Sequence, residues 1–69
     1  MKLILECKFQ PKEKPVYSWI CSYENNKKRD IEFIRIDHKT FLRELELHGE
    51  PRKISSEIYG EVVTFRYEY

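Results

Sequence analysis

The chain contains no alanine, only two glycines, and only Gln10, Asn25 and Asn26 as amides, and none of its apolar stretches is long. Two glycines, Gly49 and Gly60, cannot build the glycine-rich loop that cradles phosphates, and neither G-x-S-x-G nor H-E-x-x-H occurs. The sequence therefore offers no nucleophile set beside a base and an orienting group, and the expectation is a protein that is not an enzyme. No segment approaches the ~20 apolar residues of a membrane span. The apolar start Met1 to Leu5 is interrupted by Lys2 and followed by Glu6, and it lacks the apolar run and small-residue cleavage site of a secretory leader. A cytoplasmic location is the default expectation. With 13 Lys and Arg against 12 Asp and Glu, the net charge of +1 creates no global field toward nucleic acid or anionic lipid, and equally excludes an acidic mimic of DNA. Any electrostatic partner has to be met by a local patch.

What is present suffices for a core. In 69 residues, 41% hydrophobic and 14% aromatic side chains supply the burial that disordered chains lack, and the length allows one domain. A core of this size nets only about 3–5 kcal/mol unless a disulfide, a metal or a partner adds to it. The abundance of Glu, Lys and Arg with few amides resembles the composition of hyperthermophile proteins, a bias that AT-rich mesophilic or viral genomes also produce.

Leu3, Leu5, Cys7 and Phe9 alternate with Lys2, Glu6 and Lys8, Ile4 being the one apolar residue on the second face, which is the period of a half-buried strand. Pro11 and Pro15 bracket the polar Lys12-Glu13-Lys14 and mark a connection. From Val16 to Tyr23 the aromatic face Tyr17, Trp19, Cys21 and Tyr23 is the expected core face. If these two strands pair as a hairpin, only registers with an even residue-number sum keep both apolar sets together, and one of them opposes Cys7 to Cys21. A disulfide there closes a loop of about 15 residues, worth ~3 kcal/mol in the chain-entropy model, but two separate buried cysteines filling the core is the preferred reading.

Asn25 to Asp30 reads as a polar turn, and Ile31 to Ile36 resumes a strand that is apolar on both faces, which suits a bulge or a central place in a sheet. Asp37 is a natural N-cap, Phe41, Leu42 and Leu45 recur with helical period, and Gly49 followed by Pro51 is a C-terminal stop. The run Leu45 to His48 also alternates as a strand does. Arg52 to Tyr59 fits either a short strand or a turn of helix, and after Gly60 the segment Glu61 to Tyr69 is the clearest strand, with Val63, Phe65, Tyr67 and Tyr69 on one face. The predicted fold is α+β: three or four mainly antiparallel strands, with one short helix, about Asp37 to His48, on one face.

Cys7, Cys21, His38 and His48 are the only soft or borderline metal ligands, and they lack the close pairing by which one turn presents two ligands, so no metal and no cofactor is expected. Glu44, Glu46, Glu50 and Glu57 read as solvated charge. Two binding readings remain. In the first, surplus aromatics anchor a larger protein: Tyr17, Trp19, Tyr23, Phe65, Tyr67 and Tyr69 are the candidate contacts, and the chain-ending strand Val62 to Tyr69, placed at a sheet edge, accepts a strand from another molecule or from a second copy. In the second, Tyr17, Trp19 and Tyr23 stack bases while Lys8, Lys12, Lys14, Lys27, Lys28 and Arg29 hold phosphates. The first is preferred, as a small regulator, inhibitor or adaptor of a larger protein machine.

Overall fold

A computed structural model describes residues 2–25 and 28–69 of the chain. Five strands and one helix follow in the order β1 (Lys2–Phe9), β2 (Val16–Asn25), β3 (Lys28–Ile36), α1 (His38–His48), β4 (Lys53–Tyr59) and β5 (Val62–Glu68). The strands form one antiparallel sheet in the spatial order β3-β2-β1-β5-β4. The first three strands make a meander by successive hairpins. At the end of β3 the chain leaves the sheet, and α1 carries it across one face to the opposite edge, where the β4–β5 hairpin brings β5 back against β1.

Residues opposed across antiparallel strands share a face, so the register sorts the side chains into two sets. The helix face carries Leu3, Leu5 and Cys7 of β1, Tyr17, Trp19 and Cys21 of β2, Ile34 and Ile36 of β3, Phe65 and Tyr67 of β5, and Ile54 and Ile58 of β4. Leu5, with no exposed surface, lies between Trp19 and Tyr67 at the centre. Burying a side chain of that size is worth about 1.5–3 kcal/mol. Phe41, the buried residue of α1, packs on Leu3, Leu5 and Cys7, with Tyr17, Trp19, Ile36, Leu45, Tyr67 and Tyr69 around them.

The helix ends where its sequence says it should. Asp37 accepts a 2.7 Å hydrogen bond from the Thr40 amide at the N-terminus, and the Gly49 amide donates to the Leu45 carbonyl at 3.0 Å with φ of 71° at the other end. Tyr69 ties the chain end to the same place: its amide donates to the Leu3 carbonyl at 2.9 Å and its hydroxyl to the Gly49 carbonyl at 3.1 Å.

Three expectations are corrected. The sheet has five strands rather than three or four, because Arg52 to Tyr59 supplies β4, closed onto β5 by the two-residue turn Gly60-Glu61 with Gly60 at φ of 62°. The chain-ending strand is not an edge: β5 lies between β1 and β4, because α1 and the segment after it carry the chain past β2 and β1 before the last hairpin forms. Conversely β3, apolar on both faces, is an edge and not a central strand, which leaves Ile31 65%, Phe33 59% and Ile34 44% exposed. The disulfide question left open by the sequence has its answer in the register: the long Gln10 to Pro15 connection, with Lys12 in the left-handed region at φ of 61°, sets Cys7 opposite Tyr17 and Cys21 opposite Leu3, and the two cysteines are free.

Candidate functional site

Because α1 lies over β1 and β2 and reaches β5 through Phe41 on Tyr67, the same face of β4 and the Phe65 end of β5 lie beyond its cover. The uncovered strip meets the flank of the helix in an apolar groove of about 320 Å³, floored by Cys7, Phe65 and Tyr67 and walled by Phe9, Leu42 and Leu45. Phe9 and Phe65 meet edge to face at 6.0 Å, which fixes both rings at the groove mouth. On β4, Ser56 stands opposite Phe65 and is flanked on the same face by Ile54, opposite Tyr67, and Ile58, opposite Val63, both exposed. Leu42 adds an exposed leucine on the helix side. The groove is thus what remains when a helix of 11 residues is asked to cover five strands.

The opposite face is mixed. One row across the sheet runs Ser55, Arg66, Glu6, Ser18, Arg35, and the next runs Lys53, Glu68, Ile4, Ile20, Phe33. Arg66 donates from Nε to Glu6 at 3.1 Å and from the guanidinium terminus to Glu57 at 2.9 Å, and the Glu57 bond is the main reason its proton is held more tightly than in water. Lys2 sits 2.8 Å from Glu68, whose carboxyl that contact lowers below its ordinary range. Next to these pairs Ile4, Ile20 and Ile31 line a shallow depression of about 410 Å³ with Lys2 and Arg29 at its rim.

The aromatics singled out in the sequence divide by place. Tyr17, Trp19, Tyr67 and Tyr69 pack against the core, Tyr17 stacking on His38 at 5.0 Å and meeting Phe41 at 4.8 Å. Phe65 is half-buried in the groove, and Tyr23 is exposed near the far end of β2. The basic residues do not converge. Lys12 and Lys14 lie in the β1–β2 connection and Lys28 and Arg29 at the start of β3, at opposite ends of β2, about 30 Å apart for a strand of 10 residues. Lys8 points to the face away from the helix, and Lys27 lies outside the described residues.

Cys7, Tyr17 and His38 line the same groove, with Tyr17 stacked on His38. Burial pushes the Cys7 thiol above its ordinary range, with Tyr17 opposing and Glu6 adding to the shift, so the group stays a protonated, inert thiol at neutral pH. His38 and His48 stand at the two ends of α1, the latter 2.9 Å from Glu44. Among the described residues no three His, Cys, Asp or Glu side chains come together as a metal site requires, and no helix is long and apolar enough to cross a membrane.

Sequence reading missed Phe9, Leu42, Ile54 and Ile58 as a surface. The signal that was available is the i, i+4 spacing of Ile54 and Ile58 around Ser56, a strand alternation hidden by the polar residues between them. No family model, no curated protein and no solved structure matches this chain.

Proposed function

We propose that this chain is a non-enzymatic protein-binding module, a regulator or adaptor of a larger protein, and that the partner seats an apolar segment in the groove between α1 and the β4–β5 hairpin. The supporting observation is the apolar groove bounded by Leu42, Phe9 and Phe65, with exposed Ile54 and Ile58 on the same face of the neighbouring strand β4. Contiguous apolar surface of this kind marks an interaction site, and its aromatic pair Phe9 and Phe65 gives a rigid anchor.

Capture from the native host with tagged chain tests the reading. A stoichiometric partner is retained by the wild type and lost with Leu42→Asp, a variant whose far-ultraviolet circular dichroism stays native because Leu42 is half exposed. Equal retention by both proteins, or no partner at any salt concentration, overturns it. The nucleic-acid alternative uses Lys12, Lys14, Lys28 and Arg29 and predicts affinity for single strands that falls steeply with salt. With those residues at two ends of the sheet, no single groove joins them.

A further inference from the structure

The sheet has two edges, and they are built differently. β3 alternates charges of both signs, Lys28, Arg29, Asp30, Glu32 and Arg35, so that pairing its full length with a second β3 sets Glu32 against Glu32 and Arg29 against Arg35. Like charges directly opposed are destabilising, and this is how natural sheets blunt an edge. Shifting the register to centre on Phe33 relieves the clash only by leaving Lys28 and Arg29 without strand partners.

β4 has no such protection. Its charges are Lys53 and Glu57, and Glu57 is already tied back to Arg66 within the same molecule. Its apolar residues Ile54, Ile58 and Tyr59 are 60%, 73% and 83% exposed, so it presents the free backbone of an edge together with uncovered hydrophobic side chains. A twofold axis perpendicular to the sheet makes two edges antiparallel and keeps each face continuous, which restricts self-pairing to registers centred on a residue. Centred on Ser56, the full strand pairs: Ile54 meets Ile58 of the second copy twice on the helix face, and Ser55 meets Glu57 and Lys53 meets Tyr59 on the other. No like charges are opposed.

We propose that β4 is a self-recognition edge and that two copies of this chain join through it, centred on Ser56, into one continuous ten-stranded sheet with both helices on the same face. The pairing places the two grooves side by side across the axis, over a floor of β5 and β4 from each copy. That floor is about 20 Å wide at the usual strand spacing, enough for one helix of about 10 Å diameter between the two α1 helices. The assembly does not depend on the proposed partner, and its readout is mass rather than capture.

Sedimentation equilibrium of the untagged chain, from micromolar to millimolar, measures it directly. The wild type shifts to twice the monomer mass as concentration rises, and Ser56→Lys, which sets two ammonium groups face to face on the axis, stays monomeric with native circular dichroism. Register is read by single cysteines. Ser56→Cys forms a disulfide-linked dimer on mild oxidation because residue 56 faces its own copy, whereas Phe33→Cys does not, and the buried Cys7 and Cys21 supply no background. A wild type that remains monomeric throughout, a Ser56→Lys variant that still dimerises, or cross-linking at Phe33 in place of Ser56 overturns the proposal.

Discussion

Arg66 and Glu6 sit side by side on the central strands β5 and β1 with Nε 3.1 Å from the carboxylate, and Glu6 is the more buried of the two, its side chain 13% exposed. The guanidinium spans from there to Glu57 on β4, so one residue links three strands on the face that has no helix. Replacing Arg66 with Met keeps the aliphatic stem but leaves the Glu6 carboxylate half-buried and alone. Because Arg66 itself is well solvated, the loss is about 1 kcal/mol. Glu57→Gln, at the exposed end of the network, changes stability by less than about 0.5 kcal/mol. Urea denaturation of the two variants separates these outcomes, and equal losses contradict the ranking.

Phe41 is the buried side chain of α1, touching Tyr17 at 4.8 Å and Tyr67 at 6.0 Å. Truncating a buried phenylalanine costs about 3–5 kcal/mol. A domain of this size has only about that much to lose. Phe41→Ala is therefore expected to lose its cooperative thermal transition and its near-ultraviolet dichroism. Leu47→Ala, on the same helix but 73% exposed, is expected to melt as the wild type does.

How much of this was legible beforehand follows from which forces act locally. The helix was readable because Asp37, Gly49 and the Phe41/Leu45 spacing are signals carried by neighbours in the chain. β1, β2 and β5 were readable because each has one clean core face. Strand order was not, since it depends on where α1 sets the chain down after crossing the sheet, and no residue within a strand records that. Hence Ile31 to Ile36, apolar on both sides, read as central and is an edge, while the last strand read as an edge and is internal. The aromatic list was legible as residues but not as surface: Tyr17 and Tyr67 are covered by Phe41, a contact that depends on the helix lying over β1 and β2. The groove was invisible for the same reason, since it is defined by what the helix fails to cover.

Acid weakens two contacts together. Hydrogen bonds from Thr40 hold the Asp37 carboxyl below its ordinary range, and the Lys2 ammonium does the same for Glu68. A carboxyl whose folded value is depressed contributes stability that is fully present above its unfolded value, about 4, and is lost as pH falls through the folded value. The melting temperature is expected to hold steady from neutrality to the unfolded carboxylate range and to fall below it. The double variant Asp37→Asn, Glu68→Gln keeps a capping side chain but removes both titrations. Its melting temperature starts lower at neutral pH and declines less steeply in acid, and calorimetry across the acid range that finds parallel curves refutes the assignment.

The thiols report on the same core. Cys7 and Cys21 are 5% and 3% exposed, share the helix face of the sheet, and stand opposite Tyr17 and Leu3 rather than each other. Only the thiolate reacts, and burial both hides Cys7 and raises its pKa, so a thiol reagent at neutral pH has to wait for the chain to open. Native protein is expected to react slowly with an aromatic disulfide reagent and to release two equivalents at once in denaturant. A reductant should leave the melting temperature unchanged, since no bridge is there to break. Phe41→Ala, which removes the cover over Cys7, should label far faster than wild type in the absence of denaturant, whereas Leu47→Ala should not. Rapid labelling of the wild type would show that the helix lifts from the sheet on the time scale of the reaction, which the packing of Phe41 on Leu3, Leu5 and Cys7 opposes.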